Sequence, residues 1–295
     1  MNNSIDIAIL SDIHSNYIAL ERCMEYAVSH EISRFLFLGD YVGELAYHER
    51  TMELLFSYKE KYDCVFIRGN KEDYWIKQRR ESRNDWKEFD STTGALWYAY
   101  NHLKSKDINF FESLPIVSRV QFDGFPTLIA CHGSPYAANE DMRAGEERTK
   151  EIMDTVEASV ILSGHTHIQS RFQHQGRILL NPGSVGLSSQ AGGQSQFMIL
   201  HGKNGCWKEE FVSLEYDRLS AIEQLSESGL AERASGWCRV TKRQLQGTRP
   251  EITHTEILKR VTELCHQETG KWSWPDLPEK YWDMALAELF EEKKV

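Results

Sequence analysis

The chain has 295 residues, 41% hydrophobic and 26% charged, ordinary values for a soluble globular protein with a core of normal size. Its net charge of -10 excludes broad binding to a nucleic-acid backbone, which needs a basic surface, but not a small anionic ligand beside a metal that reverses the local field. No apolar run reaches the ~20 residues of a membrane helix, "MNNSIDIAIL" lacks signal-peptide features, and six scattered cysteines without a CxxC pair read as reduced thiols in a cytoplasmic protein.

Residues 5–10 read as a buried strand, 17–30 as a helix, 34–40 as a strand, 45–58 as a helix and 63–70 as a third strand. That alternation predicts right-handed crossovers and a parallel sheet. Residues 72–112 differ: "WIKQRRESRNDWKEF" and "TGALWYAYNHL" have helical spacing and many aromatic and arginine side chains. "IVSRVQF" and "TLIACHG" follow as strands joined by the turn "DGFP", and 146–157 reads as a helix. "ASVILSGH", "HIQSRFQH", "GRILLNPGS", "SQFMILH" and "WKEEFVSL" are closely spaced strands, which predicts an antiparallel continuation and a mixed two-sheet core. From Tyr216 onward helices are expected: one closing at Gly229, then 254–267 and 279–293, with breaks at 247–250 and 272–278.

The strands of the first two thirds end in metal-binding residue types. "ILSDIHSN" supplies Asp12 and His14, "LFLGDYVGE" Asp40, "FIRGNKED" Asn70, "IACHGSP" His132, and "LSGHTH" His165 and His167. Ligands bind at the carboxyl edge of such sheets. Each residue also has an ordinary role, as helix cap, turn former or packed histidine, but all seven falling after apolar strands in the same sense is hard to attribute to turns. Seven N/O donors exceed one tetrahedral zinc and suit two divalent ions.

The ordered set resembles the calcineurin-like metallophosphoesterases, in their bacterial phosphodiesterase-type branch. Their pattern D-x-H, G-D, G-N-H-[ED], a lone histidine, then G-H-x-H stands here as Asp12-Ile13-His14, Gly39-Asp40, Gly69-Asn70-Lys71-Glu72, His132 and Gly164-His165-Thr166-His167, across roughly residues 5–215. The resemblance implies an α/β fold: a mixed two-sheet β-sandwich flanked by helices in four layers over 1–215, with 72–112 as a lid or side wall and 216–295 as a helical C-terminal extension packed on it. It implies two divalent ions, manganese, iron or zinc, with manganese the one expected to support activity. Asp12, His14 and His167 would hold one ion, Asn70, His132 and His165 the other, and Asp40 would bridge. Asp40, Asn70, Lys71 and His132 are the candidate catalytic residues. The expected reaction is hydrolysis of a small soluble phosphodiester or nucleotide phosphoanhydride by a hydroxide held between the metals, with diadenosine tetraphosphate a specific candidate. A phosphoprotein phosphatase and a catalytically silent scaffold are the alternatives. An oligomer is compatible with the sequence.

One position departs from the pattern. Lys71 stands where many members carry a proton-donating histidine, and lysine, with a reference pKa near ~10.4, is a poor acid at neutral pH. Its ammonium is expected either to face phosphate oxygens, which favours a leaving group needing little protonation, or to point to solvent. "LLNPGSVGL" is a second phosphate candidate, as a nest of backbone N–H groups or as a plain turn. Arg79, Arg80 and Arg83 with Trp75, Trp86 and Tyr98 are candidates for holding a polyphosphate tail and a base. His48 and His102 read as packing residues.

Overall fold

The computed structural model describes residues 4–81, 85–248 and 252–290. In chain order the elements are β1 (Ser4–Leu10), α1 (Tyr17–Ser29), β2 (Arg34–Phe37), α2 (His48–Lys61), β3 (Asp63–Phe66), α3 (Asn70–Glu81), α4 (Gly94–His102) and α5 (Ser105–Ser113). There follow β4 (Val117–Val120), β5 (Leu128–Cys131), α6 (Glu147–Thr155), β6 (Val160–Leu162), β7 (Gln169–His174), β8 (Arg177–Pro182), β9 (Ser195–Lys203) and β10 (Cys206–Leu214). The last elements are α7 (Arg218–Glu227), α8 (Leu230–Arg233), α9 (Ser235–Gln246), α10 (His254–Thr269) and α11 (Glu279–Phe290).

The strands make two mixed five-stranded sheets, ordered β10-β9-β1-β2-β3 and β4-β5-β6-β8-β7. β1, β2 and β3 are parallel, as are β5, β6 and β8; β9 and β10 extend the first sheet antiparallel, and β4 and β7 flank the second. Strand alternation assigns each face a partner. Ile7, Ile9, Leu36 and Leu38 meet Leu128, Ala130, Leu162 and Leu180 between the sheets. The intervening Ala8, Leu10, Phe35 and Phe37 pack outward among Leu20, Met52, Trp75 and Phe111 of the first helices. Cys131, Ile161 and Leu179 pack outward on the other side against Ile152 and Met153 of α6. Helices, sheet, sheet and helix are the four layers expected, and each fully buried Leu, Ile or Phe contributes roughly 1.5–3 kcal/mol of transfer free energy.

Several boundaries differ from the sequence expectation. The strands expected over 34–40 and 63–70 leave the sheet at Phe37 and Phe66, and the residues beyond form site loops. The helix expected across 75–89 starts earlier, at Asn70, and is described through Glu81; residues 82–84, Arg83 among them, lie outside the described residues. Residues 85–93 are not helical, because the Asp90 carboxylate accepts from the backbone of Thr92 and Thr93, at 3.1 and 2.6 Å, and folds the loop on itself. Helices α5, α8 and α9 were not expected. α9 buries Gly236, Cys238 and Thr241 beside Val240 and Leu245 and has no side-chain N-cap, so its inner stripe carries little of the usual aliphatic signal.

Helices α7–α9 pack on the sandwich: Leu225, Leu230, Ala234 and Cys238 share a cluster with Leu45, Ala95, Tyr98 and Leu187. Helices α9–α11 have a cluster of their own around Val240, Val261, Tyr281 and Trp282. They are tied to the 85–93 loop by Glu279, which accepts from Ser91 N and Oγ at 2.6 Å each, and by Trp282 Nε1, which donates to Thr92 Oγ1 at 2.9 Å. All six cysteines are unpaired, four of them buried. No helix among the described residues is long and apolar enough to cross a membrane.

Candidate metal centre

Because β1, β2, β3, β5 and β6 all end at one edge of the sandwich, the five loops that follow them converge there. Five of the seven expected ligands sit in the left-handed region: Asp12 (φ 56°), His14 (48°), Asp40 (54°), His165 (66°) and His167 (58°). Side-chain-bearing residues rarely accept such angles, which cost of order 1–3 kcal/mol each and cluster at functional sites. Compact crossing of the loops demands glycines. A Cβ on Gly39 (φ 100°) would stand 2.5 Å from Gly69 N, and one on Gly164 would strike Ser11 Oγ and approach Asp12 Oδ2 to 2.8 Å.

The side chains form two groups, Asp12–His14–His167 and Asp40–His132–His165, within each of which one ligand-type atom per residue lies inside 4.8 Å of the others. Asp12 Oδ1 is buried without a hydrogen bond, yet three imidazole nitrogens surround it: Nε2 of His167 at 3.2 Å and of His14 and His132 at 3.8 Å. Asp40 turns Oδ1 to His132 Nε2, 3.4 Å away, and Oδ2 to His14 Nε2, 3.8 Å away, so it faces both groups. His132 Nδ1 donates to Leu38 O at 2.8 Å and His167 Nδ1 to Leu187 O at 2.7 Å. Those bonds set the tautomers and leave lone pairs on the inner Nε2 atoms. Asn70 Oδ1 stands 3.0 Å from His132 Nε2, and the Nε2 atoms of His14 and His167 are 3.0 Å apart.

Acceptors thus converge on acceptors, an arrangement that calls for cations, and imidazole with carboxylate and amide oxygen suits borderline divalent ions. The same field acts on protons. Burial works to lower His132, but Asp40 and Asp12 overcome it and push it up to about 10. Burial would raise Asp12 and Asp40, yet the surrounding histidines hold both well below the usual carboxylate range. His14 is brought down to about 4 by burial and by His167 beside it.

Around these side chains stand supports that the sequence did not single out. Glu72 is fully buried and accepts from the backbone N–H of Asp40 and Tyr41, at 2.9 Å each, and of Gly69 at 2.8 Å, clamping two site loops together. The Asp141 carboxylate lies 3.2 Å from His165 Nε2. Lys71 donates its backbone N–H to Asp40 Oδ1 at 2.8 Å, satisfying one of the open donors of the first turn of α3. Its ammonium, 13% exposed, is bound to Glu44 and lies 5.8 Å from the ring centres of both Tyr74 and Trp237. It does not extend into solvent. Trp237 Nε1 donates to the other Glu44 oxygen, and the indole stacks on His254 at 4.3 Å. Burial would raise Glu44, but Lys71, His254 and His14 hold it well below the carboxylate range.

Trp237, Gln244, His254 and Leu258 from α9 and α10 line the cavity over the metal residues, a space of about 560 Å³. The C-terminal extension, read from sequence as packing material, is therefore also a wall of the site. Glu44, four residues after Asp40 in the loop that follows β2, carries no local mark of facing Lys71.

Other candidates lie elsewhere. The 183–187 loop is a brace and not an anion nest: the N–H groups of Gly183, Val185, Gly186 and Leu187 go to Asn181 Oδ1, Ser11 O, Asp12 O and Ser184 Oγ at 2.8–3.0 Å. Arg79 and Arg80 pair with Glu112 and do not line the cavity. Trp75 and Tyr98 are buried, with Trp86 edge-on to Trp75 at 5.6 Å. His48 is a packing residue, buried against Tyr98 and bonded to Ser15 Oγ at 2.9 Å; His102 stacks on Tyr98.

The family profile described as a calcineurin-like phosphoesterase superfamily domain matches residues 5–205. An uncharacterized protein of Methanocaldococcus jannaschii is 27% identical over 243 residues, covering 77% of this chain and 94% of that one. Among solved structures, a metallophosphoesterase from Sphaerobacter thermophilus is similar with a TM-score of 0.63 at 21% identity, covering 79% of this chain and 99% of its own. A hypothetical protein from Pyrococcus horikoshii OT3 is similar with a TM-score of 0.70 at 18% identity, covering 83% and 99%.

Proposed function

Starting from the fact that the chain belongs to the calcineurin-like phosphoesterase superfamily and is a metal-dependent phosphoric ester hydrolase, we propose that it uses two divalent ions to hydrolyse a small phosphodiester or nucleotide phosphoanhydride. Diadenosine tetraphosphate is the specific candidate, manganese the ion expected to support activity, and, with six unpaired thiols, the cytoplasm the compartment. The observation that carries the reading is the convergence of seven N/O ligand side chains from five loops on one buried spot.

Asp12, His14 and His167 would hold one ion, Asn70, His132 and His165 the other, and Asp40, with one oxygen turned to each group, both. Bound there, divalent ions polarise phosphoryl oxygens and activate water. The chain's own residues do the rest. Leu38 and Leu187 fix the ring orientation of His132 and His167 through their carbonyls. Glu72 keeps the Asp40 and Asn70 loops in register. Lys71 is held at the rim as an ammonium paired with Glu44, so it is kept charged and the pair as a whole is neutral. Water adds across a P–O bond: its oxygen joins phosphorus, the P–O bond to the leaving phosphate breaks, the leaving group departs as its anion, and the water's proton passes to solvent. A lysine held as an ammonium by Glu44 is a poor proton donor, so a leaving group that is already a good one, such as a nucleotide phosphate, suits the site. The wall made by α9 and α10 narrows the approach and favours a small substrate over a folded phosphoprotein.

The test is a manganese-supplemented activity screen over bis-p-nitrophenyl phosphate, cyclic nucleotides, dinucleoside polyphosphates and phosphopeptides, with Asp40→Asn as the blank. Hydrolysis of anhydrides faster than alkyl diesters, lost in the blank, is expected. Equal rates on alkyl diesters and dinucleoside polyphosphates would remove the leaving-group argument. A protein that binds no divalent metal and cleaves nothing would remove the whole reading.

A further inference from the structure

Beside the metal cavity lies a second space of about 240 Å³. The two share Glu44, Lys71, Tyr74, Trp237 and Leu258 as a common border. The smaller one is walled by Trp75, Ala95 and Leu96 from the sandwich side and by Trp237, Leu258 and Trp274 from the C-terminal extension. Its size falls just under the roughly 300–1,000 Å³ of drug-sized ligand sites, enough for one ring system. Trp274 is 55% exposed and covers the space from outside.

We propose that this cavity receives the heteroaromatic base of a nucleoside phosphate while its phosphoryl group lies on the metal residues. The inference rests on the hydrolase reading and adds the identity of the group next to phosphorus. Three observations favour a base. The walls are aromatic and aliphatic, so a planar ring gains stacking and desolvation there. The polar floor is already consumed: Glu44 accepts from Lys71 and Trp237 on separate oxygens, so it does not demand a cationic ligand. Thr92 supplies a donor. Its Oγ1 accepts from Trp282 Nε1 at 2.9 Å, and its own hydroxyl proton has no acceptor among the described residues. A ring nitrogen can take that proton, whereas a plain phenyl ring or alkyl chain cannot. Lys71, on the shared border, then stands between base and metal residues, where the phosphate linkage must pass.

The cavity exists only because α9, α10 and the 272–278 segment close on the sandwich. The extension is therefore a specificity element: Trp237, Leu258 and Trp274, which close the cavity, come from the part of the chain outside the family match, which ends at residue 205.

The test separates binding of the base from hydrolysis. Adenosine, which has no phosphate, is titrated into the manganese-loaded protein by calorimetry and tryptophan fluorescence, beside phenol and glycerol. Adenosine binding is expected, with phenol at least roughly ten-fold weaker and glycerol silent. Trp274→Ala and, independently, Ala95→Leu, which fills the cavity, should each weaken adenosine about ten-fold, the scale of one base–aromatic contact. Circular dichroism confirms that each variant is folded, and Trp274→Ala, at an exposed position, keeps the test open if Ala95→Leu misfolds. Wild-type hydrolysis of the p-nitrophenyl ester of adenosine monophosphate and of bis-p-nitrophenyl phosphate, whose leaving groups need little protonation, runs in parallel. If neither ester is cleaved but adenosine binds and the variants weaken it, the hydrolase reading fails and the base pocket stands. If esters are cleaved but adenosine does not bind, binds no better than phenol, or binds both variants undiminished, the pocket assignment is overturned alone.

Discussion

Lys71 and Glu44 make a buried ion pair whose energy a double-mutant cycle can read. Their side chains are 13% and 7% exposed, the rings of Tyr74 and Trp237 stand with their centres 5.8 Å from the ammonium, and Asp40 adds to the negative charge that faces it. At ~3 Å and an effective dielectric near ~20 the gross attraction is roughly 5 kcal/mol. Desolvation of both ions offsets much of it. Deleting one partner strands the other charge, so Lys71→Met and Glu44→Gln should each destabilise by about 3–5 kcal/mol. Glu44→Gln belongs at the low end, because the amide oxygen still accepts from Trp237 Nε1. The double variant removes both charges at similar volume and should recover much of the loss, giving a coupling energy of about 2–3 kcal/mol. Urea unfolding of the four proteins, with unchanged m, measures it. Repetition in high salt should change little, since a buried pair is weakly screened. Single losses that simply add, within about 0.5 kcal/mol, would refute the pairing and with it the account of why Lys71 stays charged.

Asp141→Asn should leave the fold intact and weaken metal binding or activity about 10–100-fold, as loss of a carboxylate behind a ligating histidine does; metal content after dialysis checks it. Gly164→Ala should drive a methyl into Ser11 and Asp12, costing about 1–3 kcal/mol as overpacking does and lowering metal retention together with stability. Trp282→Ala should destabilise by about 3–5 kcal/mol, since it empties the centre of the C-terminal cluster, and should uncouple Thr92 of the 85–93 loop; calorimetry reads the first and proteolysis of the loop the second. His201, half-exposed, has its pKa raised: burial pulls down, but Glu210 and Asp6 prevail. A raised folded pKa gives stability that is full below the unfolded value of ~6.5 and is lost as pH climbs through the folded value. His201→Gln should therefore lower the melting temperature at pH 5.5 more than at pH 9, by under about 1 kcal/mol for so exposed a network.

The layers were legible in the sequence because each strand buried on two faces is an unbroken apolar run, and the next polar residue marks where the sheet ends. That punctuation named Asp12, His14, Asp40, Asn70, His132 and the paired His165 and His167 before any geometry was known, and it also placed the sandwich. It marked Glu72 only as a motif position, without its clamping role, and gave no hint of Asp141, since both roles depend on which loop lies behind them. It missed α9, whose buried stripe is built from glycine, cysteine and threonine, and it left open a phosphate nest in a loop whose N–H groups are spent on Ser11, Asp12 and its own side chains. What the sequence by itself determined was local: strand ends, ligand residue types and their order. What only the tertiary structure decided was pairing at a distance. Lys71 meets Glu44 across 27 residues and Trp237 across 166, and side chains so far apart in the chain become neighbours only when burial of apolar surface elsewhere brings their helices together, an outcome that no spacing near either residue records.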